Sequence, residues 1–219
     1  MTIEPPPSPG NLETIATAVV RATLSAVPWA GGALVEAVQL AASRGREKRL
    51  YQWFDEVSRA VNHLMEQQGR SWDDLANDDG FINAIGAATA AAAQTADASK
   101  LEALRNAVLN STFQPDTVAD RHAILMSLVV DLTGTHLWVL GLYDDKIAWY
   151  NARGMEVKEF MFGGPAEVLN GANGELAADT TLITKVVDDL RAQGLADISL
   201  NTTMTNQGIW ASRTKPLGK

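Results

Sequence analysis

Between Arg49 and Gln68, Leu50, Trp53, Phe54, Val57, Val61, Leu64 and Met65 recur at spacings of three and four. That period places them on one face of a helix, whereas a strand would need alternation. Arg59, Asn62, Glu66 and Gln67 fall largely on the rest of the wheel, and Gly69 supplies a stop. A helix with one apolar face has to bury it against other elements, so the segment predicts a helical bundle.

The neighbouring segments extend that pattern. Asp73, Asp74, Asp78 and Asp79 lie in SWDDLANDDGF, which lacks the alternating ligands and distal Glu of a calcium loop. Carboxylates there suit helix N-termini instead. FINAIGAATAAAAQT and LEALRNAVL predict helices over about 79–95 and 98–111, rich in alanine and suited to close packing. Pro115 marks a break, and Ile124, Leu125, Leu128, Val129 and Leu132 predict a helix over 118–132. Leu132-Thr133-Gly134-Thr135 reads as a stop and a new cap before the short hydrophobic helix HLWVLGLY. In 144–178, IAWY and EFMFGG are open to two readings, strand fragments or a buried strap. PAEVLNGANGEL reads as short helices between turns.

Upstream, residues 12–43 are small and apolar, with only Glu13, Arg21 and Glu36 charged. The fourteen uncharged residues between Arg21 and Glu36 fall short of the roughly 20 that span a bilayer. Pro28 makes one continuous helix costly, by about 3 kcal/mol. Two helices, 12–26 and 30–43, are predicted as a buried hairpin, with a membrane-acting effector as the alternative. Arg44, Arg46, Lys48 and Arg49 follow, diluted by Glu47, and suit a solvated helix end. MTIEPPPSPGN predicts an extended, disordered tail over 1–11 and has no basic-then-apolar leader pattern.

Composition narrows the function classes. The chain of 219 residues is 46% hydrophobic, enough for a substantial core. Its net charge of -8 opposes generic binding to a polyanion. The imbalance sits mostly in residues 1–120, with 9 basic and 15 acidic residues (9 - 15 = -6). Residues 121–219 carry 9 and 11 (9 - 11 = -2). Absence of cysteine excludes disulfides and thiolate chemistry and fits a cytoplasmic protein. His63, His122 and His136 lack the spacing of a metal pair. Gly31-Gly32 and Gly163-Gly164 belong to no nucleotide fingerprint, and no GxSxG occurs. The adjacent carboxylates Asp144-Asp145 and Asp188-Asp189 would point about 100° apart on a helix, so neither is a ready acid/base couple. The expectation is a non-enzymatic chain with no cofactor, metal or small-molecule ligand.

From Asp179 to Lys219 the order of elements changes. Thr180 or Thr181 can cap a helix bearing Leu182, Ile183, Val186, Val187 and Leu190, which Gly194 stops. Threonine, isoleucine and tryptophan then favour strands over 197–203 and 209–214, with Asn206-Gln207-Gly208 as the turn. This resembles the C-terminal part of winged-helix regulators, through Leu137-Trp138-Val139-Leu140, Asp189-Leu190, Gly194-Leu195, Thr214 and Leu217-Gly218. It also resembles bacterial proteins that join a helical bundle to such a module, a likeness that brings no activity with it.

The predicted fold is therefore mainly α, with a tail (1–11), a helical bundle (12–117) and a winged-helix-like α+β module (118–219) with a small two-stranded wing. The resemblance implies either protein docking or DNA recognition, the latter through Thr181, Thr184, Lys185, Arg191, Arg213 and Lys215. A DNA reader typically neutralises about six to ten phosphates, and from 179 onward the cations are Lys185, Arg191, Arg213, Lys215 and Lys219. Asp188 and Asp189 oppose them. A protein partner or self-association is therefore the leading expectation, with DNA-binding regulation and membrane action as alternatives.

Overall fold

The computed structural model describes residues 44–69, 71–113 and 119–218. The expected tail and apolar hairpin lie outside the described residues, as does the segment on which membrane action would rest. The chain divides into two compact units, one ending at Asp131 and the other beginning at Leu132.

The first unit contains α1 (Arg44–Gln68), α2 (Trp72–Ala76), α3 (Asp79–Ala92), α4 (Ala98–Phe113) and α5 (Ala119–Asp131). Helices α3, α4 and α5 pack on one another, and α1 lies against α4 and α3. The stripe read from sequence becomes the core face, with Leu50, Trp53, Val57, Val61 and Met65 buried. Opposite it, Ala84, Ala88 and Ala92 recur every four residues on α3, and their short side chains admit close approach by Leu104 and Val108. Thr89 is buried there and satisfies its hydroxyl by donating to the Ile85 carbonyl at 2.6 Å.

Aspartates act as caps at these helix starts. The Asp78 carboxylate accepts the Phe81 amide at 3.0 Å, and Ser71 and Asp74 close a reciprocal box on α2. Asp97 does the same for α4, accepting the Lys100 amide at 2.9 Å. The buried Lys100 side chain donates to the carbonyls of Val129 and Val130, two of the groups left over at the end of α5. Burial lowers its pKa, against attraction from Asp131 and Asp97.

The second unit contains α6 (Gly134–Asp144), α7 (Lys146–Asn151), α8 (Pro165–Ala172), α9 (Gly174–Ala178), α10 (Thr180–Ala192) and α11 (Asn206–Trp210), then a 3-10 turn at Pro216–Gly218. Thr133 caps α6 where the sequence placed a cap, and PAEVLNGANGEL forms α8 and α9. Helix α10 packs on α6 and α9, burying Ile183, Val186, Val187 and Leu190. Gly194, at φ 71°, lets the chain reverse so that the Leu195 amide reaches the Leu190 carbonyl at 2.9 Å. Leu195, Ala196 and Ile198 then fold under the helix.

The expected α+β module with its two-stranded wing is overturned. No strand occurs among the described residues, where antiparallel pairing is confined to the single bridges Ala196↔Thr214 and Gly163↔Met204. The predicted turn Asn206-Gln207-Gly208 is the start of α11, and Thr205 is its cap. Ile209 decides the outcome, because a helical turn buries it completely in the core. The β preference of threonine and isoleucine is contextual, and packing overrides it here. IAWY likewise belongs to α7 rather than to a strand.

Candidate functional site: an aromatic face and its strap

Helix α7 presents Trp149 and Tyr150 at adjacent positions, about 100° apart around the axis. Tyr150 therefore turns inward and donates its hydroxyl to the Val168 carbonyl at 2.5 Å, while Trp149 stays half-buried. Gly171 of α8 makes room for that tyrosine, since a Cβ there would sit 2.6 Å from its hydroxyl oxygen.

The aromatic rings continue as a line. Trp138 meets Trp149 edge-on at 5.4 Å, and Tyr150 meets Trp210 edge-on at 5.4 Å. Phe160 follows at 6.1 Å from Trp210, and the Arg153 guanidinium lies 3.8 Å from the centre of the Trp149 ring.

After Gly154, at φ 64°, residues 155–162 run as a strap beside α11. The Trp210 indole donates to the Lys158 carbonyl at 3.2 Å, and the Phe160 amide donates to Asn206 Oδ1 at 3.1 Å. At the far end, the Gly163 and Met204 amides donate to each other's carbonyls, at 3.3 and 2.6 Å. A Cβ at Gly164 would collide with the Thr202 carbonyl oxygen, so the close approach there requires glycine. Between these anchors, Met161 is 88% exposed and Phe162 is 72% exposed. Beside them lies a groove of about 350 Å³, lined by Tyr150, Met155, Lys158, Phe160, Glu167 and Trp210 among others.

One buried cation supports the end of α11. Lys146 is fully buried, donates to the Ala211 carbonyl, and has its nitrogen 5.2 Å from the Tyr143 ring centre. Burial, and then repulsion from Arg213, lower its pKa to about 8, against attraction from Asp145. Burial pushes the Tyr143 hydroxyl the other way, well above its usual range, and it donates to the Pro165 carbonyl at 2.7 Å.

The residues expected to meet DNA are differently placed. Thr181, Thr184, Lys185 and Arg191 share α10, and Lys185 pairs with Asp189. Arg191 pairs with Asp188 at 3.1 Å and donates to the Ile198 carbonyl. Arg213 turns inward, donating to the Gly208 carbonyl at 2.7 Å and to Met204 Sδ at 2.8 Å. Lys215 is exposed, with its amide on the Leu195 carbonyl at 2.8 Å. Thr180, Thr184 and Arg191 line a second groove of about 590 Å³, whereas Thr181 is exposed in the first turn of α10, which Asp179 caps in place of the expected Thr180 or Thr181.

His136 joins α6 to α10. The Thr133 amide meets its Nδ1 at 3.3 Å, and its Nε2 faces Asp189 Oδ2 at 3.3 Å. The hydrogen bond from Lys185, then that from His136, hold the Asp189 carboxyl below its usual range. Thr133 Oγ1 accepts the His136 amide at 3.5 Å, so the hydroxyl and the imidazole close the N-terminus of α6. His63 faces Gln67 at 3.0 Å, and no group of three metal-binding side chains converges among the described residues.

Sequence reasoning missed Met161 and Phe162. The available signal was FMF, too short for a core strand and bounded by Lys158-Glu159 and Gly163-Gly164. No family model, curated relative or solved structure matches the chain.

Proposed function

We propose that the chain works by protein–protein interaction, with the strap 155–163 and the aromatic line behind it as the contact surface. The observation that carries this reading is the exposure of Met161 and Phe162 between fixed anchors. Single exposed apolar residues are ordinary, but a Met-Phe pair held clear of the surface offers apolar area with little ordering entropy left to lose. Aromatic residues, Met and Arg are also the types enriched at the centres of interfaces, and here they adjoin one another.

A photo-crosslinking amino acid placed at Phe162, in the full chain and in the cells that make it, tests the reading. Leu182, 43% exposed on α10, is the comparison site. A discrete protein adduct from position 162, stronger than from 182, is expected. Equal or absent adducts at both would remove this surface from consideration.

A further inference from the structure

We infer that the partner at this face is a second copy of the chain, related by a two-fold axis, each copy's Phe162 entering the other's groove beside Tyr150 and Trp210. This rests on the docking reading above and names its occupant.

Plug and receptacle occur together on this face. The strap anchors hold Met161 and Phe162 out of their own groove, which leaves an apolar tip and an apolar recess side by side on one unit. A two-fold contact satisfies both at once, because residue i meets residue j and j meets i.

The Trp210 indole N–H is committed to the Lys158 carbonyl, and Glu167 Oε2 accepts the Gly164 amide at 2.6 Å. A polyproline peptide needs aromatic walls together with a free donor for its carbonyls, and the indole of this groove is already engaged. What the recess has to offer is apolar area, which suits an apolar plug.

Glu156, Lys158 and Glu167 line the recess, so both signs of charge occur at its wall. A uniformly basic or acidic partner would meet like charge at part of that wall. A second copy brings both signs to the contact, Lys158 of each chain being available to pair with Glu156 or Glu167 of the other.

Sedimentation equilibrium of the full chain across a wide concentration range, with Phe162→Asp and Phe162→Leu variants, tests the inference. The wild type is expected to show a monomer–dimer equilibrium. Phe162→Asp should weaken it by at least about 30-fold, as loss of a central anchor does, and Phe162→Leu should largely keep it. Because the side chain is exposed, thermal unfolding of both variants should match wild type at concentrations dilute enough for all three to be monomeric. A wild-type chain that stays monomeric, or a dimer indifferent to Phe162→Asp, overturns the two-fold assignment. The crosslinker at position 162 then separates the two claims: an adduct with a different protein leaves the docking reading standing, and no adduct removes both.

Discussion

Replacing Trp53 by alanine is expected to destabilise the first unit by about 3–5 kcal/mol, the range for removing a large buried aromatic from a packed core. Trp53 is 2% exposed, meets Phe54 edge-on at 5.3 Å, and lies in the cluster that joins α1 to α3 and α4. The alanine face of α3 has no longer side chains to swing into the space, so little of the cavity can collapse. Trp53→Phe is expected to cost much less. The indole Nε1 is buried without a hydrogen-bond partner among the described residues, so phenylalanine loses some packing area but also relieves an unsatisfied donor. Hydrogen exchange at the α3 and α4 amides, compared across the three proteins, reads opening of this unit. An alanine variant within about 1 kcal/mol of wild type would contradict the packing described.

The second large effect concerns pH. Lys146 has its folded pKa lowered to about 8 from an ordinary 10.5, so between those values the unfolded chain binds more protons than the folded one. Stability of the second unit is therefore expected to rise with pH from about 8 upward. Below 8 both states hold the proton and the burial penalty is present in full, about 3 kcal/mol at 1.36 kcal/mol per pH unit. Tyr143 acts in the opposite sense, since a tyrosine with raised folded pKa loses stability only above its ordinary value of 10. The rise should thus be clearest between pH 8 and 10. Lys146→Met keeps the apolar stem and is expected to flatten it. At neutral pH the same change removes a buried charge but leaves the Ala211 carbonyl without its donor, two terms of similar size. The slope is therefore the informative quantity. Denaturant unfolding at pH 7, 8, 9 and 10 measures it, and a wild-type curve as flat as the variant's would refute the assignment.

Much of the helical framework was legible because it rests on local chemistry. The Leu50–Met65 stripe, the Thr133 cap and the Gly194 stop each follow from periodicity or from a backbone need that few residues meet. The C-terminal segment was misread where local preference and packing disagree. Thr203 and Ile209 favour strands taken alone, yet Thr205 between them caps a helical turn and Ile209 becomes its buried anchor. The candidate contact face was illegible for a different reason. Tyr150, Phe160 and Trp210 are brought together by folding, and nothing in EFMFGG says that its second phenylalanine stays outside while its first lines a groove. That distinction depends on Asn206 and Trp210 holding the strap, a pairing across about fifty residues of sequence.

The central claim is that Met161 and Phe162 are covered when the protein is at work, and methionine oxidation reads this directly. Thioether oxidation depends on exposure, and Met161 is 88% exposed in the chain by itself. Brief oxidative labelling of intact cells and of the dilute purified full chain, at matched dose, can be followed by peptide mass spectrometry. Met161 is expected to oxidise several-fold more slowly in the cell than in the dilute chain. Equal rates in the two settings would mean that nothing covers this surface, and the docking account would fail.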